Sequence, residues 1–181
     1  MSVANLITLA RLLAAPLAIW LILDDQIAAA FWVFVAAGVS DAVDGFIAKR
    51  LDQRSPLGAL LDPIADKTLL VSLFVALGLA GRLPNWLVIL VVFRDLLIVG
   101  GFLLATAVSH PLRTRPLAVS KLNTALQIIL VAIVLAQLGL GLPLGRLTEI
   151  LIYAVGVTTV LSGTGYLVRW TRGVAGADIM P

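Results

Sequence analysis

The chain lacks several groups that soluble enzymes commonly use. It has no cysteine and a single histidine, His110, among its 181 residues. The absence of cysteine excludes a disulfide framework, a thiolate zinc site and a cysteine nucleophile. Because His110 stands beside Pro111, we interpret it as a loop residue without a catalytic role. Charge is also scarce, since 13% of the residues are charged, whereas soluble domains carry roughly 25%.

Apolar sequence takes the place of the missing charge. Hydrophobic residues make up 61% of the chain, and its mean hydropathy is +1.08. A helix needs about 20 apolar residues to cross a bilayer, so six spans and short turns occupy almost the whole length. The sequence therefore predicts an all-α polytopic membrane protein with six transmembrane helices in a single domain, residues 1–181. The predicted spans are 4–23, 28–48, 58–80, 84–106, 117–138 and 147–170.

The distribution of basic residues predicts the orientation of these spans. Short loops rich in lysine and arginine stay on the cytoplasmic side of a membrane. One predicted face carries Lys49, Arg50, Arg54, Arg113, Arg115, Lys121, Arg169 and Arg172. The opposite face carries only Arg82 and Arg146. We therefore expect a bacterial-type inner membrane protein with both termini in the cytoplasm, and its basic residues are expected to meet anionic headgroups or phosphates, with no nucleic-acid partner.

Four aspartates lie within or at the ends of two otherwise apolar segments, at positions 41, 44, 62 and 66. A carboxylate at membrane depth is costly and is normally kept where it binds an ion, a proton or a substrate. Asp41 and Asp44 are three residues apart, and Asp62 and Asp66 are four apart, so each pair shares one helix face. A short polar turn joins the two segments, which predicts antiparallel neighbours whose four carboxylates converge at the cytoplasmic face of the membrane.

Clustered carboxylates repel one another unless a cation lies between them. Hard oxygen ligands suit Mg²⁺, Mn²⁺ or Ca²⁺, and carboxylates that bridge ions suit a two-metal site acting on phosphate. The alternative is a set of aspartates that cap helices or pair with nearby lysine and arginine residues. Gly45 and Gly58 stand at short offsets from the aspartates. A residue without a side chain lets a nucleotide approach the backbone closely, which favours the reaction site.

Together these residues form a longer pattern. Its members are, in order, Asp41, Asp44, Gly45, Ala48, Lys49, Gly58, Asp62 and Asp66. The pattern resembles the signature of the CDP-alcohol phosphatidyltransferases, integral membrane enzymes of phospholipid synthesis. One position departs from it, because the family usually has arginine after the alanine, whereas here Lys49 stands there and Arg50 follows. Either cation is a candidate for the phosphate contact, although lysine meets a phosphate as a point charge without arginine's two-pronged geometry.

The resemblance implies a reaction as well as a fold. It implies transfer of a phosphatidyl group from CDP-diacylglycerol to an alcohol with release of CMP, in a homodimer surrounded by membrane lipids. It implies two divalent cations, Mg²⁺ or Mn²⁺, and Asp66 as the group that accepts the proton of the attacking hydroxyl. The implied metal ligands are Asp41, Asp44, Asp62 and Asp66. The implied nucleotide-binding residues are Asp41, Gly45, Ala48, Lys49, Arg50 and Gly58.

Further polar residues are candidates for binding the phosphate of the acceptor alcohol. They are Asn5, Thr8, Arg11, Arg94, Arg113, Arg115, Lys121, Thr124 and Gln127. These segments resemble the cardiolipin synthase branch of the family, whose acceptor is phosphatidylglycerol. The phosphatidylglycerophosphate synthases, which use glycerol 3-phosphate, share much of the same pattern and are the alternative.

Each of these segments also has a purely structural interpretation. Arg11 can extend to the membrane interface beside a capping Asn5 and Thr8. Arg94 and its neighbour Asp95 can form a salt bridge to another helix, although consecutive helical residues point about 100° apart and need not pair with each other. The segment from Ser120 onward can be an interfacial helix start.

A small cation transporter is a more distant alternative, in which the aspartates bind ions in transit. A transport pathway requires ionisable or small polar residues through the whole bilayer. Here they cluster at one side, and the fifth and sixth predicted spans contain few charges. The distribution therefore favours an enzyme.

Overall fold

The structure is a computed structural model that describes residues 3–51, 56–107 and 118–177, with side chains described for 13–40, 67–101 and 118–168. Within these ranges all regular secondary structure is helical, which confirms the all-α prediction. The helices are α1 (Val3–Leu23), α2 (Ile27–Leu51), α3 (Pro56–Leu79), α4 (Asn85–Ala107), α5 (Ala118–Leu140) and α6 (Gly145–Ala177).

The helix ends lie close to the predicted ones, with one exception. α3 begins at Pro56, where the fixed φ of proline and its missing N–H suit the first helical position. α6 is 33 residues long and continues to Ala177, beyond the predicted end at residue 170. A helix of that length extends about 50 Å, which exceeds the roughly 30 Å of a hydrocarbon core. The apolar run ends near residue 170, but no helix-breaking residue stands there, and the helix continues.

Tight turns on one side of the bundle join α1 to α2 and α3 to α4. Gly81 has a φ of 68°, and the N–H of Arg82 donates to the carbonyl of Leu77 at 2.8 Å. This is the Schellman arrangement, in which a left-handed residue ends a helix. Asp25 plays the same part after α1 with a φ of 57°, a conformation that aspartate tolerates better than most side chains.

The helices form a closed ring. α1 packs against α2 and α3, α3 packs against α4, α4 against α6, α6 against α5, and α5 against α2. α3 also contacts α5 across the ring. The sequence predicts that α2 and α3 are antiparallel neighbours. Among the described contacts these two helices do not pack directly against each other, because α1 packs against both of them.

The interior is apolar over most of its length. Phe74, Leu77, Leu87, Leu130 and Val155 are fully buried. Glycine allows a close approach between two helices, because a Cβ on Gly139 of α5 would lie 2.7 Å from the Cα of Ala28 on α2. The backbones of α2 and α5 therefore touch where α2 begins and α5 ends.

Two of the described helices are long and apolar enough to cross a membrane, judged by length and composition. They are Ala118–Leu140 and Gly145–Val168. Shorter apolar helical segments, Leu13–Leu23, Ile27–Ser40 and Lys67–Leu79, lie in α1, α2 and α3.

Candidate active site

The buried polar residues of the described chain lie on three helices and form what we call the buried polar layer. Its members are Arg94, Asp95, Asn123, Gln127, Thr159 and Ser162. The other buried residues in the described ranges are apolar. A buried polar group is expensive unless it is hydrogen-bonded, so among the described side chains this layer is where polar interactions replace apolar packing.

Arg94 is the centre of the layer and links three helices. Its Nε and Nη2 donate to Ser162 Oγ on α6 at 3.1 and 2.7 Å. Nη2 also donates to Ser120 Oγ on α5 at 2.5 Å, and Nη1 donates to Asp95 Oδ1 at 2.6 Å. All three guanidinium nitrogens therefore bind protein groups. The structure brings Arg94 into a network of protein partners, including the adjacent Asp95.

Asp95 connects this network to α3. Its Oδ1 also accepts from Lys67 Nζ at 2.8 Å. The carboxylate is thus shared by two cations, one on its own helix and one on α3. Asp95 Oδ2 is buried and has no hydrogen-bond partner among the described residues. Lys67 is 28% exposed, against 4% for the Asp95 side chain.

A second group of polar residues lies between α5 and α6. The hydroxyls of Thr158 and Thr159 donate to Asn123 Oδ1 at 2.8 and 2.9 Å. Asn123 Nδ2 and both amide atoms of Gln127 are buried without a partner among the described residues. Asn123 and Gln127 are four residues apart on α5 and share one face. This face therefore presents three unused hydrogen-bonding atoms to the interior.

The candidate acceptor residues at the start of α5 have different surroundings. Lys121 is exposed, Thr124 is half-buried and Gln127 is fully buried. The Thr124 hydroxyl donates to the carbonyl of Ser120 at 3.2 Å. Of the three, Gln127 is the one that belongs to the buried polar layer.

The four aspartates lie on the two helices that the sequence indicates. Asp41 and Asp44 are within α2, and Asp62 and Asp66 are within α3. Their side chains are outside the described ones, so convergence of the carboxylates stays a prediction. The described side chains contain no group of three or more potential metal ligands.

Several other predicted site residues also fall outside the described side chains. They are Asn5, Thr8, Arg11, Gly45, Ala48, Lys49, Arg50 and Gly58. Arg113 and Arg115 lie outside the described residues altogether, as do His110 and Arg54. Their roles stay predictions.

Helix register nevertheless relates the aspartate positions to the buried polar layer. α2 and α5 are antiparallel, because Gly139 near the end of α5 lies against Ala28 at the start of α2. Sixteen residues separate Gly139 from Asn123, and sixteen separate Ala28 from Asp44. Each interval corresponds to about 24 Å of helix, so the backbone of Asp44 lies at about the level of Asn123. On α3, Asp66 directly precedes Lys67.

The opposite end of the bundle has a simpler polar arrangement. Arg82 Nη2 lies 3.0 Å from Asp25 Oδ1, and both side chains are exposed. An open cavity of about 450 Å³ lies beside this pair. It is lined by Asp25, Gln26, Ile27, Ala28, Ala29, Arg82, Leu138 and Gly139. This end has none of the members of the buried polar layer.

Several residues of the network are not predicted as site residues from the sequence. They are Lys67, Ser120, Asn123, Thr159 and Ser162. A signal existed for two of them, since Thr159 and Ser162 are three residues apart in an apolar helix and share a face. The others became apparent only from packing between helices.

Comparison with known proteins relates the whole arrangement to a family. The sequence profile described as CDP-alcohol phosphatidyltransferase matches residues 1–161. A cardiolipin synthase (CMP-forming) / mitochondrial hydrolase fusion protein of Schizosaccharomyces pombe is 35% identical over 179 residues, which cover 91% of this chain and 30% of that protein. The human cardiolipin synthase (CMP-forming) is 34% identical over 151 residues, covering 75% of this chain and 50% of that protein.

A relative of similar length is named as a different enzyme, a phosphatidylglycerophosphate synthase. The probable phosphatidylglycerophosphate synthase of Mycobacterium tuberculosis is 34% identical over 184 residues, covering 97% of this chain and 84% of that protein. By contrast, the match spans only 30% of the fusion protein and half of the human enzyme. The profile match over most of the chain confirms the family that the aspartate pattern resembles, and the chain belongs to the CDP-alcohol phosphatidyltransferase family.

Proposed function

We propose that this chain transfers a phosphatidyl group from CDP-diacylglycerol to phosphatidylglycerol, giving cardiolipin and CMP. The observation that carries the proposal is the pattern of four aspartates on α2 and α3 in a member of this family. Two further observations support it. The buried polar layer lies at about the level of Asp44 and Asp66, and several relatives are named cardiolipin synthases.

The donor set fits two divalent cations. Asp41, Asp44, Asp62 and Asp66 offer only carboxylate oxygens, which are the ligands that Mg²⁺ and Mn²⁺ take in proteins. Cations held there would polarise the pyrophosphate of CDP-diacylglycerol and offset the charge that develops on CMP. These four residues are the proposed ligands.

Residues of the protein itself carry out the remaining steps. Asp66 accepts the proton of the attacking hydroxyl. The hydroxyl oxygen forms a bond to the phosphorus of the phosphatidyl group, and the bond from that phosphorus to CMP breaks, with the electron pair leaving on CMP. Gly45, Ala48 and Gly58 leave room for the cytidine, and Lys49 or Arg50 binds its phosphates.

The six helices are proposed to span the membrane, with both termini and the reaction site on the cytoplasmic side. Lysine and arginine near the ends of the predicted spans support this orientation. The composition of α5 and α6 supports spanning by those two helices. A homodimer is part of the proposal because the family resemblance suggests it.

Phosphatidylglycerophosphate synthesis is the second candidate function. It is favoured by the M. tuberculosis relative, of which the match covers 84%. Phosphatidylglycerol and glycerol 3-phosphate both carry a phosphate, so each needs a cationic site. Charge alone therefore does not separate the two acceptors.

An assay with defined acceptors tests the proposal. The chain, purified and reconstituted, is given CDP-diacylglycerol with either phosphatidylglycerol or glycerol 3-phosphate, and CMP and lipid products are measured. We expect cardiolipin, dependence on Mg²⁺ or Mn²⁺, and loss of CMP release with chelator or in Asp62→Asn. Asp25→Asn, which removes an exposed carboxylate at the opposite end, serves as the matched control and should remain active.

Other results of the same assay contradict parts of the proposal. Phosphatidylglycerophosphate without cardiolipin would refute the acceptor and retain the transferase reaction. Absence of CMP release with both acceptors would refute the reaction. Cation flux into vesicles without CMP release would favour a transporter.

A further inference from the structure

We propose that Lys67 binds a phosphate group of a substrate and that Asp95 holds its ammonium in place. This inference rests on the proposed function, because it requires a phosphorylated substrate beside α3. It adds a residue outside the aspartate pattern and a second residue that positions it.

The first argument is charge. Lys67 and Arg94 are cations that share the single carboxylate of Asp95, so this group has one positive charge in excess. Four carboxylates and two divalent cations at the proposed metal site sum to zero and do not offset it. An unbalanced charge at membrane depth is costly, and an anionic ligand removes that cost. A phosphate is the anion that the proposed reaction supplies.

The second argument concerns which of the two cations, Arg94 or Lys67, has N–H donors that are not already hydrogen-bonded to the protein. Arg94 is 2% exposed, and its nitrogens already bind Ser120, Ser162 and Asp95. Lys67 is 28% exposed. An ammonium has three N–H donors, and Asp95 accepts one of them. Lys67 is therefore the cation of this group that can meet a ligand.

The third argument is direction. The buried stripe of α4 contains Leu87, Val91 and Asp95, whereas Phe93 and Leu96 are about two-thirds exposed. Asp95 thus faces the interior of the ring, and the 2.8 Å contact draws the Lys67 ammonium to the same side. Without that contact, the long side chain of Lys67 would be free to extend toward water. Asp95 is therefore a positioning residue for Lys67.

The second carboxylate oxygen of Asp95 indicates which chemical class of ligand this site suits. Asp95 Oδ2 is buried without a partner among the described residues, and it lies on the same carboxylate that binds Lys67. An acceptor beside a cation suits a ligand with a hydroxyl close to a phosphate. The ribose phosphate of CDP-diacylglycerol and the glycerol phosphate of either acceptor share this chemistry.

Kinetics of Lys67→Met, Lys67→Arg and Asp95→Asn test the inference and identify the ligand. KM is measured for CDP-diacylglycerol at saturating acceptor, and then for the acceptor at saturating CDP-diacylglycerol. We expect Lys67→Met to raise one KM by roughly tenfold or more, the scale of one charge-assisted hydrogen bond. Lys67→Arg should recover part of the loss, and Asp95→Asn should raise the same KM. The substrate whose KM changes is the one that Lys67 binds.

A matched ion pair at the other end of the bundle provides the control. Arg82→Met breaks the exposed contact with Asp25 and should leave both KM values unchanged. A folded Lys67→Met with both KM values within twofold of the original would overturn the inference. If Lys67→Met does not fold, Lys67→Gln replaces it in the same measurement.

Direct binding separates this inference from the proposed function. Titration of CMP and of glycerol 3-phosphate into the purified protein, with Mg²⁺ or Mn²⁺ present, is compared between the original chain and Lys67→Met. Weaker binding of either ligand supports the phosphate site even if no transfer is detected. Equal binding of both ligands, together with unchanged KM values for CDP-diacylglycerol and for the acceptor, contradicts it even if transfer is confirmed.

Discussion

Arg94 and Asp95 are consecutive residues on α4, and Arg94 Nη1 donates to Asp95 Oδ1 at 2.6 Å. Both side chains are buried, so the pair occupies the interior stripe of α4 together. Each also binds other helices, Arg94 through Ser120 and Ser162 and Asp95 through Lys67. One pair therefore ties α4 to α3, α5 and α6.

Removing the cation from this pair should destabilise the bundle. In Arg94→Met, two serine hydroxyls lose their donor and Asp95 is left with Lys67 alone. Breaking a buried ion pair from one side costs about 3–5 kcal/mol, so we expect a clearly lower unfolding temperature in detergent. Arg82→Met is the comparison, because its partner Asp25 is exposed and such a pair contributes at most about 1 kcal/mol. Equal losses in the two variants would contradict the central role of Arg94.

The contact between α2 and α5 makes Gly139 a sensitive position. In Gly139→Ala, the new Cβ would lie 2.7 Å from the Cα and 2.8 Å from the N of Ala28. Because those atoms are backbone, the two helices must separate, and we expect a loss of about 1–3 kcal/mol. Gly38→Ala is the control, since nothing lies within 4 Å of its Cβ position and alanine favours a helix by about 0.5–1 kcal/mol. The unfolding temperature should therefore fall in Gly139→Ala and rise in Gly38→Ala.

Gly156→Ala should be milder than Gly139→Ala although the distance is similar. Its Cβ would lie 2.9 Å from Cζ3 of Trp86. Trp86 is 47% exposed, so its ring can shift away at the cost of its stacking on Tyr153, whose ring centroid is 6.2 Å away. In a Trp86→Ala background the substitution should cost almost nothing, and a full cost there would contradict this account. Tryptophan fluorescence follows the movement of the ring.

Most of the fold could be predicted because its signals are local. Pro56 marks the start of α3, and Gly81 stands in the left-handed turn that follows it. The end of α6 could not be predicted in this way. Loss of hydropathy near residue 170 reports where the apolar run ends, whereas the helix continues for as long as no residue breaks it.

The site could be predicted only in part. The aspartate pattern identified the family because residue types at fixed spacing are visible in the sequence. Lys67 gave no comparable signal, since a lysine beside an aspartate is common, and Ser162 gave only the weak signal of sharing a helix face with Thr159. Their connection to Arg94 and Asp95 depends on how α3, α4 and α6 pack, which no local pattern encodes.

Gln127 should show opposite effects on stability and activity. Its side chain is fully buried, and both amide atoms lack a partner among the described residues. An unsatisfied buried amide is unfavourable, so Gln127→Leu, which has a similar shape, should raise the unfolding temperature. If the amide binds substrate in the proposed reaction, the same variant should release CMP more slowly, by roughly tenfold or more.

Gln137 provides the matched control on the same helix. Its Oε1 accepts a hydrogen bond from the Thr148 hydroxyl at 2.7 Å, at the end of α5 away from the buried polar layer. Gln137→Leu removes a satisfied hydrogen bond, so it should lower the free energy of unfolding by about 1 kcal/mol, with a slightly lower unfolding temperature, and leave CMP release unchanged. A Gln127→Leu variant that is both less stable and fully active would contradict the assignment, because the amide would then have a structural partner and no part in the reaction.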